Sequence, residues 1–208
     1  MMFKGSLWLD GKSISIALKR LHVLIGYLFI FNLVFRLVWG FIGNQYSRWS
    51  AFFPDRHYWA DLKGYLKSHH NSKQYLGHNP LGKLSVTLMF LLLFALIATG
   101  LIRAGTDIYY PPFGGYILSQ SIKPGVELDS VSVRTPELID QDKRNKLFIY
   151  KIKSRMGKYH KWSSYGLMFM VFIHVFSVVR EELAGRRIIS AMFSGKKLLQ
   201  AKQEPFDS

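Results

Sequence analysis

From Leu84 to Ile102 the chain runs for 19 residues without a charged side chain, and few folds accept such a segment. About 20 consecutive apolar residues in a helix match the hydrocarbon thickness of a bilayer. A transmembrane helix is therefore expected here. Two further windows are long enough to span, Leu21 to Gly43 and Trp162 to Val179, although the first contains Asn32 and Arg36 and the third contains His174. Polar side chains inside such segments usually face a bundle interior and mark function. The expected fold class is an all-α membrane protein, one membrane domain over residues 1–208 with spans at about 21–43, 84–102 and 162–179.

Composition narrows the chemistry. No cysteine is present, which excludes disulfides, thiolate metal sites, iron-sulfur clusters and covalent c-type haem attachment. Any haem must be held non-covalently, through His or Met. The net charge of +15 would suggest nucleic acid in a soluble protein. The basic residues, however, sit almost wholly outside the apolar windows, so membrane lipid head groups are the expected counter-charge and no nucleic-acid partner is expected. Charge alone does not orient the chain, because the segment between the second and third windows approaches the length at which the positive-inside rule fails.

The polar segments have their own patterns. Met1 to Arg20 has no long apolar core and reads as neither a signal peptide nor a span. The loop 44–83 carries Phe52, Phe53, Tyr58, Trp59, Leu62, Tyr65 and Leu66, the pattern of a short amphipathic helix at the interface. The loop 105–161 contains Tyr109-Tyr110-Pro111-Pro112-Phe113-Gly114-Gly115 and Lys123-Pro124-Gly125, turn punctuation that suits an ordered cap as well as a linker.

Histidines supply the functional signal. His160 and His174 are 14 positions apart, so a helix carries both imidazoles on one face, about 21 Å apart along its axis. That spacing suits one axial ligand to each of two stacked haems, and equally a proton relay or two unrelated polar contacts. His22 opens the first window, and Gly26 one turn later leaves room for a flat ligand. The first and third of three consecutive spans run parallel, which brings His22 and His160 to the same depth, where they can face each other as the two axial ligands of one haem. The bland alternative is a pair of interfacial histidines contacting head groups. Arg36 follows His22 by the same 14 residues, at the depth of His174, where a guanidinium suits haem propionates or snorkels to the interface. His57, His69 and His70 lie in a basic loop and read as solvated. His78 precedes Asn79-Pro80, the signature of an N-cap with proline at the first helical position.

Several strings taken together resemble the prokaryotic cytochrome b561 family, which includes the b-type cytochrome subunits of nickel-iron hydrogenases. They are Phe35-Arg36-Leu37-Val38-Trp39-Gly40-Phe41-Ile42-Gly43, Tyr46-Ser47-Arg48-Trp49, Gly77-His78-Asn79-Pro80-Leu81-Gly82, the pair His160 and His174, and Ser190-Ala191-Met192-Phe193-Ser194-Gly195-Lys196-Lys197. The resemblance covers Leu21 to Lys197, and the combination carries it rather than any one motif.

The resemblance implies a four-helix bundle in a bacterial inner membrane, binding two haems b and passing electrons between quinones and a redox partner. By match, His22 corresponds to the second-helix ligand, and His160 and His174 to the fourth-helix pair. The cofactor set extends to Arg36, Gly26 and His78, the tail 180–208 faces the cytoplasm, and 105–161 is extracytoplasmic. The redox partner would be a periplasmic cytochrome c, an oxidoreductase or a hydrogenase subunit. Bis-histidine ligation fills both axial positions, so an electron-transfer subunit is expected rather than a catalyst by itself. The family's first helix, with the fourth histidine, has no counterpart, so the three spans correspond to the last three of the bundle. His174 then lacks an obvious partner: a start assigned too late, a three-helix variant with one haem, and a replacement ligand from His78 or another subunit are the alternatives, the first being favoured. One haem b is expected from His22 and His160, and two if the missing ligand is supplied. The competing class is a non-redox membrane subunit or transporter whose buried histidines relay protons.

Overall fold

The computed structural model describes residues 11–43, 47–67, 80–132 and 135–183. Among them are three long helices, α1 (Gly11–Ile42), α4 (Pro80–Ile108) and α7 (Phe148–Glu181). The short helices α2 (Trp49–Phe52), α3 (Tyr58–Lys67), α5 (Gly114–Ser121) and α6 (Gln141–Lys146) lie between them. Each long helix holds one apolar window, α1 all of its window but Gly43, and extends beyond it at one end or both. Backbone i to i−4 hydrogen bonds continue wherever no proline intervenes, whereas hydropathy marks only the part that suits hydrocarbon. Pro80 is the first residue of α4, where its missing N–H costs nothing. Asn79, the expected cap, lies outside the described residues.

The apolar spans are not buried by protein. At most 11% of any span's most hydrophobic window is buried, and side chains such as Leu28, Phe31, Phe41, Phe172 and Phe176 are more than half exposed. Exposed apolar surface on this scale is stable only in lipid, and helices satisfy their own backbone groups there. The chain is an all-α membrane protein.

It falls into two compact units. The first comprises residues 1–37 and 92–164, and includes an ordered cap over 109–147. Residues 105–161, read from the sequence as a loop, in fact hold the end of α4, all of α5 and α6, two single 3₁₀ turns and the first turns of α7. Leu118, Val131 and Ile139 form the core of the cap, with Tyr109, Ile122, Val126 and Leu138 packed around them. An antiparallel bridge joins Ile122 to Ile139, and the Asp140 carboxylate caps α6 by accepting from the N–H groups of Asp142 and Lys143. Tyr109 takes a left-handed φ of 57°, and the Tyr110 N–H reaches back to the Ala104 carbonyl at 3.0 Å. That six-residue closure is how α4 stops and the chain turns into the cap. The Tyr27 hydroxyl of α1 donates to the Pro111 carbonyl at 2.7 Å, tying the Tyr109–Gly115 segment to the helix that carries His22.

The second unit comprises residues 38–91 and 165–208. Trp49 stacks on Phe53 with centroids 5.2 Å apart and meets the edge of Phe90 at 5.3 Å. The α3 helix buries Tyr58 and Leu62 and exposes Trp59 and Leu66, so it is amphipathic as its sequence suggests. The Tyr58 hydroxyl donates to the Pro80 carbonyl at 3.0 Å, and burial pushes the phenol above its ordinary pKa, keeping it a donor.

Candidate metal centre

Within the first unit, α1 and α7 bring His22 and His160 together. Their ring centroids are 6.1 Å apart and the ring planes are nearly perpendicular, at 89°. Two imidazoles bound end-on to one metal ion, with metal–nitrogen bonds of about 2.0–2.1 Å, would have centroids separated by roughly 6 Å. The separation of the pair is compatible with both imidazoles binding one metal ion.

The tautomer of His160 is set by its neighbours. Its Nδ1 lies 3.0 Å from the Leu96 carbonyl oxygen and 3.1 Å from Thr99 Oγ1. A carbonyl only accepts, so Nδ1 carries the proton and donates it. The Thr99 hydroxyl donates to the Ala95 carbonyl at 2.6 Å, which leaves its oxygen free to accept from the same N–H. Nε2 then keeps its lone pair for a metal. A ligating histidine whose other nitrogen donates to a carbonyl is the usual device for holding ring orientation.

Gly100 makes this approach possible. A Cβ at that position would stand 3.1 Å from His160 Cε1, closer than ordinary packing allows. Neither Thr99 nor Gly100 is singled out by the sequence reading. The available signal is an isolated glycine inside an apolar helix, which often marks close approach.

The other expected residues fall as follows. Gly26 is on α1, and a Cβ there would meet nothing within 4 Å, so the space beside it is open. Arg36 is half-buried in the first unit, with an interaction of its own. His174 is half-buried in the second unit and has no hydrogen-bond, ionic or ring partner among the described residues. His57 is exposed, its backbone N–H donating to Asp55 Oδ1 at 2.9 Å. His69, His70 and His78 lie outside the described residues. No group of three or more His, Cys, Asp or Glu side chains is placed to hold a metal ion among the described residues.

Three apolar helices exposed to lipid and a facing histidine pair define a membrane protein able to ligate a metal through two imidazoles. The family profile described as prokaryotic cytochrome b561 matches residues 1–195. Among similar proteins, the probable Ni/Fe-hydrogenase B-type cytochrome subunit of Rhizobium leguminosarum bv. viciae is 24% identical over 202 residues, covering 90% of this chain and 71% of its own length. Its counterpart in Azotobacter vinelandii is 24% identical over 197 residues, covering 86% and 68%. That of Bradyrhizobium diazoefficiens is 28% identical over 175 residues, covering 78% and 59%. No solved structure matches the chain. The chain belongs to the prokaryotic cytochrome b561 family, and the cofactor that membership assigns to it is haem b.

Proposed function

We propose that this chain carries electrons between the quinone pool and a redox partner across the bacterial inner membrane, with His22 and His160 as the two axial ligands of one haem b. The observation that supports it most directly is the 6.1 Å separation of two imidazoles, one of which has its Nδ1 proton committed to a backbone carbonyl. Haem b, when bound, supplies a one-electron ferric/ferrous couple. The protein's part is to hold both imidazoles in place, to fill both axial positions so that no substrate reaches the iron, and to surround the centre with lipid-facing apolar side chains. Leu96 and Thr99 fix His160. Gly26 offers open space on α1 for the flat face of the group. Arg36 is assigned to haem carboxylates, and His174 to ligation of a second haem, each on the strength of its place in the sequence motif. His78 is kept as a cofactor-side residue on the strength of the motif alone.

The partner is a hydrogenase, in keeping with the names of the similar proteins, and a periplasmic cytochrome c is the alternative acceptor or donor. The cap over 109–147 faces away from the cytoplasm and the tail 180–208 faces into it. In that orientation the Tyr109–Gly115 segment is positioned over the outer centre and serves the partner's docking.

The test is a reduced-minus-oxidised spectrum of the purified protein and of His22→Ala, His160→Ala and His174→Ala. Loss of the haem signal in the first two variants is the expected result. Full haem retention in both, or a wild-type protein without haem absorbance, overturns the reading.

A further inference from the structure

Arg103 lies on the face of α4 that carries Thr99, Gly100 and Asp107, and its guanidinium rests on α7 at Gly157. A Cβ at Gly157 would come within 2.5 Å of Arg103 Nη1, so the helix surface is bare where the cation lies. Gly157 precedes His160 by three residues, and Arg103 follows Gly100, which touches the His160 ring, by three. The point where the guanidinium meets α7 is thus about one helical turn, roughly 5 Å of backbone, from His160, on the side where α7 begins.

The local charges do not balance. Arg103 Nη2 donates to Asp107 Oδ2 at 2.7 Å, and the Lys153 ammonium takes the other oxygen, Oδ1, at 2.8 Å. One carboxylate, 15% exposed, thus serves two cations, and neither has another carboxylate partner among the described residues. The Arg103 side chain is 39% exposed, and its remaining N–H donors have no protein acceptor among the described residues. An excess positive charge inside a span is costly unless an anion accompanies it. Guanidinium is the side chain best shaped to take a carboxylate with two parallel hydrogen bonds.

We propose that Arg103 anchors a carboxylate of the cofactor held by His160, so that the haem lies with its carboxylates toward the cap. This rests on the haem reading of His160. The same anionic chemistry is offered by a lipid phosphate, and the test separates the two sources.

Apoprotein in detergent is reconstituted with haem b or with its dimethyl ester, which keeps the ring and iron but removes both carboxylates. Release to a soluble haem scavenger is then timed. Arg103→Gln should release haem b about tenfold faster than the unaltered protein, as expected for one lost hydrogen bond to a charged group. With the dimethyl ester the two proteins should match within about twofold, and Arg103→Lys, which keeps the charge without the fork, should fall between. Equal effects of Arg103→Gln on both haems, or none on either, overturn the proposal and leave a lipid phosphate as the anion. Should Arg103→Gln not fold, the unaltered protein decides: equally slow release of haem b and its ester overturns the proposal. Haem retention in His160→Ala instead removes the reading on which the proposal rests, an outcome distinct from an inert Arg103→Gln beside a haem-free His160→Ala.

Discussion

The imidazoles of His22 and His160 lie with their centroids 6.1 Å apart and their planes at 89°, and among the described residues only His160 has hydrogen-bond partners for its ring. The Nδ1 of His160 donates to Leu96 and Thr99, while His22 is exposed and has the His160 ring as its neighbour. His160 is therefore the member of the pair whose ring is oriented by hydrogen bonds.

Thr99→Val should test that asymmetry. The Leu96 carbonyl still accepts from Nδ1, so haem stays bound, but losing the second acceptor weakens haem affinity by about tenfold, the lower end for a partner of a ligating histidine. Titration of the apoprotein with haem measures it, and unchanged affinity would show that Leu96 alone orients the ring.

Gly100→Val should remove haem without unfolding α4. The nearest Cβ contact is the His160 ring at 3.1 Å, and a branched side chain cannot fit there. Valine is a better helix former than glycine by a few tenths of a kcal/mol, roughly, so helicity by circular dichroism should hold while the haem-to-protein ratio collapses. Normal haem content in this variant would place the centre elsewhere.

Gly26→Leu separates the cofactor from the fold in a second way. Apart from its chain neighbours and the α1 backbone, no described atom lies within 4 Å of a Cβ at that position, so the apoprotein should keep its thermal midpoint. If a flat ligand occupies that space, haem content falls several-fold, and full occupancy would show that Gly26 does not border it.

Asp107→Asn should cost more stability than Lys153→Gln. The first change strands Arg103 and Lys153 together; the second leaves Arg103 paired with Asp107. Because the two cations are about a third exposed, the difference should be only about 1–2 kcal/mol, below the usual cost of breaking a fully buried pair. Thermal denaturation in detergent reads it, and equal midpoints would contradict the charge imbalance.

Trp49→Ala addresses the second unit. Trp49 stacks on Phe53 and meets Phe90, and its removal should destabilise that unit by about 3 kcal/mol. If His22 and His160 in the first unit are the ligands, the haem spectrum should keep its band positions; a shift would place a haem ligand in the second unit.

Much of this was legible in the sequence because it depends on composition and helical period. The uncharged run Leu84–Ile102 requires a lipid-spanning helix, Pro80 marks where that helix starts, and the absence of cysteine leaves histidine or methionine to hold any haem. The parallel course of the first and third spans predicts that His22 and His160 share a depth, and the two rings do meet. The 14-residue interval from His160 to His174 is likewise a property of one helix, whereas the use of His174 depends on a ligand that a single helix cannot supply. Hydropathy was a poor guide to length: residues 148–161 are polar and yet helical, because the backbone ladder does not need apolar side chains to continue.

By itself, then, the sequence determined that the chain crosses a membrane in helices and that histidines recur on them at intervals that place them on one face, since both follow from side-chain chemistry repeated along one dimension. Only the tertiary structure decided which nitrogen of His160 is free, that Gly100 and Gly157 let the His160 ring and the Arg103 guanidinium come close, and that Asp107 serves two cations. Across α4 and α7 those relationships join residues from 46 positions apart, Asp107 to Lys153, to 64, Leu96 to His160. Contacts between separate helices depend on how their surfaces dock, and no local pattern along either helix encodes that.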